Sequence, residues 1–210
     1  YKRSIRMVAI MDYGVGNLFS LKWSLDCIGV DAKITNNEKE IREADAIILP
    51  GVGAFLDAIE KLGEKNLKNI ITEEVQKGKI LLGICLGMQL LFEKSYEYGE
   101  YIGLGLIKGE ICSLKNDLKN KDLKVPHMGW NNLSFNKDDK ILKYIKEDEY
   151  VYYVHSYYAK NCDENILAHS EYEINIPGIV KNKNVYGIQF HPEKSGETGL
   201  NILRAFGELI

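Results

Sequence analysis

The stretch that most constrains this chain is Lys79-Ile80-Leu81-Leu82-Gly83-Ile84-Cys85-Leu86-Gly87-Met88-Gln89. An apolar run suited to a buried strand meets Gly-x-Cys-x-Gly, and the helix-compatible segment Met88-Gln89-Leu90-Leu91-Phe92-Glu93 follows. Strand, sharp turn and helix in that order are the layout of a nucleophile elbow, with sulfur in place of the usual serine oxygen. Such a turn holds its central residue in a strained backbone conformation. Glycine is needed on both sides because a side chain there would collide with the neighbouring strand and helix. A helix that starts at the cysteine turns its N-terminal amides toward negative charge on the sulfur.

A cysteine nucleophile needs a base, and one stands far downstream. Val185-Tyr186-Gly187-Ile188-Gln189-Phe190 reads as a strand and runs into His191-Pro192-Glu193-Lys194-Ser195. A histidine at a strand end, with a carboxylate two residues on, fits a base and the group that orients it. Pro192 between them fixes the backbone so that both side chains can turn toward each other. Taken singly, Cys85 is a buried small hydrophobe and His191 a structural histidine; together, each at a strand end, they favour catalysis.

The first half of the chain alternates strand and helix. Strands are expected over Arg6 to Met11, Ala32 to Thr35, Ala46 to Leu49 and Ile80 to Ile84, with helices between, such as Leu67 to Gln76. Asn17 is placed to cap a helix whose Leu18, Leu21, Leu25 and Ile28 share one face. Alternation of this kind implies an open, mostly parallel α/β sheet with helices on both faces. After Gly103 short strand-like runs follow instead: Gly105 to Ile111, Glu149 to Val154, Ile166 to His169 and Gly178 to Val180. They predict additional antiparallel strands in the C-terminal half, before a helix over Thr198 to Leu209. Cys85, Gly51-Val52-Gly53 and the loop Asp12 to Asn17 each follow a parallel strand, at the sheet edge where such folds place ligands.

At 210 residues the chain suits one domain, taken as 7–210, with 1–6 an extension or cloning remnant ahead of Met7. A net charge of −3 argues against nucleic acid as a partner, and the lysine-rich runs 115–124 and 137–146 are interleaved with aspartates as solvated faces are. No apolar run reaches the length of a membrane span and no secretory leader is expected. Four cysteines without metal-ligand spacing fit a reducing cytoplasm; Cys27, Cys112 and Cys162 are read as structural, and no metal site is expected.

The two motifs together resemble those of the class I (triad) glutamine amidotransferases. A finer resemblance, to the family of glutaminase subunits of imidazole glycerol phosphate synthases, rests on Asp12-Tyr13-Gly14-Val15-Gly16-Asn17, Leu49-Pro50-Gly51-Val52-Gly53-Ala54-Phe55 and Pro126-His127-Met128-Gly129-Trp130-Asn131. It covers the chain from Met7 onward. Val15 stands where the family often has proline. The resemblance implies hydrolysis of glutamine to glutamate and ammonia by the triad Cys85, His191 and Glu193, without cofactor. The oxyanion donors are then the amides of Leu86 and Val52, the latter in a peptide that its flanking glycines leave free to rotate. Gly51, Gly53, Gln89, Ser156 and Tyr157 would line the glutamine pocket, although an ordinary Pro-Gly turn, a helix-surface glutamine and a core tyrosine explain Gly51, Gln89 and Tyr157 equally when each stands alone.

The implied partner is a cyclase subunit with a (β/α)8 barrel, joined in a heterodimer, which takes the ammonia and makes imidazole glycerol phosphate and an aminoimidazole carboxamide ribonucleotide. Asn17, Trp130, Tyr152 and Lys194 would sit near the docking face; core packing is the other reading of Trp130 and Tyr152. Two further readings stay open at this point. One is a paralogue feeding ammonia to another synthase, such as sugar amidination for surface polysaccharide. The other is a non-catalytic interaction module, against which the intact triad argues. From the triad alone, a thiol protease or hydrolase of other substrates also fits.

Overall fold

Three short, wholly apolar strands carry the molecule. In the computed structural model, which describes residues 6–210, they are β1 (Met7–Met11), β3 (Ala46–Leu49) and β4 (Ile80–Ile84). The expected extension 1–6 lies, Arg6 apart, outside the described residues. Between them run α1 (Leu18–Cys27), β2 (Asp31–Thr35), α2 (Glu38–Glu43), α3 (Phe55–Glu64) and α4 (Leu67–Gln76), and α5 (Leu86–Leu90) follows β4. The second half comprises β5 (Phe92–Ser95), β6 (Tyr101–Ile102), β7 (Ile107–Ser113), α6 (Leu114–Asp117), β8 (His127–Asn132) and β9 (Ser134–Phe135). It ends with β10 (Tyr150–His155), β11 (Tyr157–Lys160), β12 (Ile166–Tyr172), β13 (Ile174–Asn182), β14 (Val185–Ile188) and α7 (Gly196–Leu209).

The main sheet has the order β2-β1-β3-β4-β14-β13-β12-β9. Pairing is parallel from β2 through β14 and antiparallel from β14 to β9, as the change of pattern in the sequence predicts. Side chains alternate across a strand, so each apolar run feeds two cores. Val8, Ile10, Ile48, Leu82 and Ile84 pack on one face with Leu21 and Leu25 of α1 and Ile202, Leu203 and Phe206 of α7. Ala9, Met11, Ile47, Leu49 and Leu81 pack on the other with Phe55, Leu62, Ile70, Ile71 and Leu90. Smaller sheets, β11-β7-β5-β6 and β10-β8, flank the main one.

The insertion of β14 beside β4 matters most for function. Its register pairs Ile188 with Ile84, so the residues just past both strands emerge side by side at one sheet edge.

Three local expectations are corrected. Asn17 occupies the N-cap of α1 but its side chain makes no capping bond; its backbone carbonyl accepts from Leu21 N–H at 3.2 Å. The helix after Cys85 stops at Leu90 instead of running to Glu93. The Leu90, Leu91 and Phe92 carbonyls accept instead from the amides of Leu104, Leu106, Ile107 and Gly105, which draws the chain into β5. The strand read at Gly178 to Val180 is part of the longer β13; Pro177 and Gly178 interrupt the apolar pattern there, and Gly178 is held bare by the Tyr153 hydroxyl, 2.6 Å from where its Cβ would stand.

Candidate active site

The elbow is built by exclusion. A Cβ on Gly83 would lie 2.7 Å from the Gly87 carbonyl oxygen, and one on Gly87 would overlap the carbonyl oxygen of Leu49 in β3. Only glycines let α5 leave β4 this steeply. Cys85, between them, has φ 54° and ψ −111°, a left-handed backbone that side chains rarely adopt. Its N–H donates to Ile188 O of β14 at 2.7 Å, which ties the strained residue to the neighbouring strand.

Beyond Ile188 the chain reaches His191, the expected base. His191 is buried, and its N–H donates to Tyr152 O at 3.0 Å. Pro192 opens a single 3-10 turn, Pro192–Lys194, which brings Glu193 Oε1 to 2.9 Å from His191 Nδ1. Burial opposes a charged ring here, yet hydrogen bonding to Cys85 and Glu193 outweighs it and holds the imidazole up at about 10. Ser195, which the sequence did not single out, locks the turn. Its hydroxyl donates to His191 O at 2.7 Å and accepts from Tyr152 N–H at 2.9 Å. Glu193 Oε2 is buried and, among the described residues, has no partner. A small cavity beside it is bordered by Asn17, Pro50, Gly51 and Val52.

A cavity of about 300 Å³ opens over Cys85, lined among others by Val52, Gly53, Leu86, Gln89, Ser156, Tyr157 and His191. The expected pocket residues are thus brought together, except Gly51, which lies behind Val52 against Tyr13; a Cβ there would stand 2.7 Å from the Tyr13 hydroxyl. That hydroxyl donates to Pro50 O at 2.6 Å and fixes the start of the glycine turn. Among the described residues the Val52 amide makes no hydrogen bond. Glu97, which also lines the cavity, escaped the sequence reading; its Oε2 accepts from Phe55 N–H at 2.7 Å, and burial pushes its carboxyl up.

Behind the pocket runs a chain of satisfied polar groups. Gln89 Nε2 donates to Tyr157 O at 3.0 Å and to Gln189 Oε1 at 3.1 Å. The same Tyr157 carbonyl accepts from His155 Nδ1 at 2.9 Å. His155 Nε2 therefore accepts, and His127 Nδ1 donates to it at 3.0 Å. Burial pushes His127 down to about 4; burial and then the His127 ring push His155 down to about 3. The sequence marks His127 only as part of the run Pro126 to Asn131, and nothing in it pairs this ring with His155.

The docking candidates surround the same edge. Trp130, 56% exposed, meets Tyr152 edge to face at 5.9 Å between ring centres, and Asn17 and Lys194 are exposed. Among the described residues no helix is long and apolar enough to cross a membrane, and no three histidine, cysteine or carboxylate side chains gather as a metal requires.

Two outcomes are expected from this geometry. Gly87→Ala should cost roughly 3 kcal/mol or more of stability, because β3 backbone blocks the new methyl, and thermal melting measures it. The unfolded chain protonates both histidines near 6.5, whereas the folded chain does so only near 4 and 3. The unfolded state then binds more protons in that interval, so stability rises with pH across it and is lost as pH falls. Urea unfolding between pH 4 and 6.5 should show a shallower dependence in His127→Phe, by about 1.4 kcal/mol per pH unit; equal slopes would refute the assignment.

Residues 9–208 match the model of the glutamine amidotransferase class-I family. The chain is 51% identical over 205 residues to the imidazole glycerol phosphate synthase subunit HisH of Caldanaerobacter subterraneus subsp. tengcongensis, covering 97% of this chain and 98% of that protein. It is 48% identical to the HisH subunit of Bacillus subtilis, covering 97% and 96%. Among solved structures, PurLQS from Thermotoga maritima shares the fold with TM-score 0.76 at 20% identity, covering 99% of this chain and all 100% of that one. A crystal structure of a glutamine amidotransferase does so with TM-score 0.74 at 18% identity, covering 97% and 99%. The chain belongs to the class I glutamine amidotransferases, and among them to the family of imidazole glycerol phosphate synthase HisH subunits.

Proposed function

We propose that this glutamine amidotransferase is the glutaminase subunit of an imidazole glycerol phosphate synthase, with Cys85, His191 and Glu193 as its catalytic residues. One observation carries the reading: Cys85 and the His191–Glu193 pair leave adjacent parallel strands at the same sheet edge, beside a pocket of about 300 Å³. Glu193 holds His191 Nδ1 and so aims Nε2 at the sulfur. Cys85 Sγ attacks the side-chain amide carbon of glutamine, and His191 gives its proton to the departing ammonia. Water then attacks the thioester with His191 as base, the C–S bond breaks, and glutamate leaves. The Leu86 and Val52 amides are the donors for the oxyanion; losing one such donor costs about 10²–10³ in rate.

The pocket's polarity fits the other end of glutamine. Gln89 has committed both Nε2 protons, so its Oε1 remains to accept from the substrate's α-ammonium, with the Glu97 carboxylate in the same cavity. Gly53, Ser156 and Tyr157 shape the walls around the substrate, with Gly51 behind Val52.

Ammonia released into water at neutral pH is mostly protonated and lost as a nucleophile. We therefore read Asn17, Trp130, Tyr152 and Lys194 as the docking face for a (β/α)8-barrel cyclase, which receives the ammonia and forms imidazole glycerol phosphate and the aminoimidazole carboxamide ribonucleotide in the cytoplasm. The small cavity bordered by Asn17, Val52 and Glu193 supports that reading, because residues read as docking, oxyanion and triad groups share one space. Binding there can favour a turned-in Val52 amide, at the cost of several kcal/mol of differential affinity.

Cys85→Ala should abolish glutamine-dependent synthesis by the complex while added ammonium still supports it; residual glutamine hydrolysis would sink the assignment. Rates should fall in the order wild type, Glu193→Gln, His191→Ala, because an amide still orients the ring. Glutamate release should be slow alone, faster with the cyclase and fastest with its nucleotide ligand. Equal rates in all three would favour a stand-alone hydrolase, and a response only to a different synthase would assign the chain to a paralogous pathway.

A further inference from the structure

We infer that Gln189 is a positioning residue that presents an N–H donor to the Cys85 sulfur, with its polarity dictated from a distance by the backbone carbonyl of Tyr157. The inference rests on Cys85 being the nucleophile. Gln189 is fully buried and borders Cys85 from behind, while the substrate cavity lies on the other side. Its Nε2 stands 3.8 Å from Cys85 Sγ.

The direction of the dipole follows from donor and acceptor rules alone. A carbonyl oxygen only accepts, so Tyr157 O obliges Gln89 to turn its Nε2 toward it. The same Nε2 then donates to Gln189, which must answer with Oε1. The only group left at the other end of the Gln189 amide is its NH2, and that end faces the sulfur. Tyr157 O also accepts from His155 Nδ1 at 2.9 Å, so both of its electron pairs are in use. A backbone carbonyl thus fixes a donor at the sulfur through two side-chain amides.

The chemistry is directional. The neutral thiol can instead point its proton at Val154 O, 4.0 Å away. The thiolate has no proton to give and gains from the Gln189 N–H, so the amide favours the charged sulfur and holds it at the elbow. Because Gln189 does not touch the substrate, its loss should act on kcat and leave glutamine binding largely alone.

Two variants separate this property from shape. Gln189→Glu keeps the shape and an oxygen for Gln89, and replaces the donor facing sulfur by a carboxylate oxygen and its negative charge. Gln189→Met keeps the length with neither donor nor charge. Iodoacetamide labelling of the full chain at pH 7.5, mapped by mass spectrometry, reads the nucleophilicity of Cys85 against exposed Cys27 in the same molecule. Cys85 labelling should fall about threefold to tenfold in Gln189→Met and more than about tenfold in Gln189→Glu, with kcat for glutamine in the complex following and KM within about twofold. A steric role predicts that Gln189→Met, which keeps the length, matches wild type, and the added charge makes Gln189→Glu the harsher test; labelling and kcat within twofold of wild type in Gln189→Glu would overturn the inference. If that variant fails to melt cooperatively, unchanged labelling in Gln189→Met overturns it instead. Should Cys85→Ala still release glutamate from glutamine in the complex, the nucleophile reading itself falls and this inference with it.

Discussion

The hydrogen bond from Cys85 N–H to Ile188 O, 2.7 Å long, is the contact on which the rest depends. It continues the parallel ladder of β4 and β14 by one rung, into a residue whose backbone is no longer extended. A cysteine at φ 54° costs of order 1–3 kcal/mol and persists only where its surroundings over-determine it. The surroundings here are two glycines that cannot be enlarged, the β3 carbonyl of Leu49 and this one bond across strands. The same bond sets the distance between Cys85 and His191, because His191 is three residues beyond the acceptor.

Around that junction the protein buries groups that water would otherwise solvate, and each is matched. The His191 ring stands between Cys85 and Glu193, while the peptide flanking it is gripped by Tyr152 and Ser195. His127 and His155 are kept neutral by burial, and each finds its donor or acceptor in turn, ending at Tyr157 O. A partly satisfied polar network costs more than an apolar core, so the completeness of this one keeps Gln89 and Gln189 in single orientations. The exception is Glu193 Oε2, buried without a partner among the described residues. An orphaned acceptor of this kind costs about 1–3 kcal/mol, and it sits where the small cavity meets Asn17 and Val52.

Much of this was legible in the residues. The apolar strands β1, β3 and β4 and the helix α4 fall where their patterns place them, since parallel strands buried on both faces leave an unbroken apolar signature. The Gly-x-Cys-x-Gly run reported the elbow because sterics allow little else there. What escaped was non-local. Ser195, Glu97 and Gln189 acquire their roles from residues 43, 42 and 104 positions away. The helix after Cys85 was read too long because nothing in Leu91-Phe92-Glu93 reveals that the 104–107 loop will claim its carbonyls. Asn17 had the residue type of a capping side chain, and the loop geometry at φ −91° and ψ 69° gave it a backbone role instead.

The place of β14 in the sheet has a temporal consequence. The parallel half β2-β1-β3-β4, elbow included, comes from the first part of the chain, and translation delivers it first. Gln189 leaves the ribosome 104 residues after Cys85, and His191 after that. Until β14 slides between β4 and β13, the thiol has neither imidazole nor amide beside it, and the strained turn lacks its tether to Ile188. A nascent or C-terminally clipped chain therefore carries Cys85 without its proposed base. On the roles proposed for Cys85 and His191, glutamine hydrolysis waits on the same event that closes the sheet.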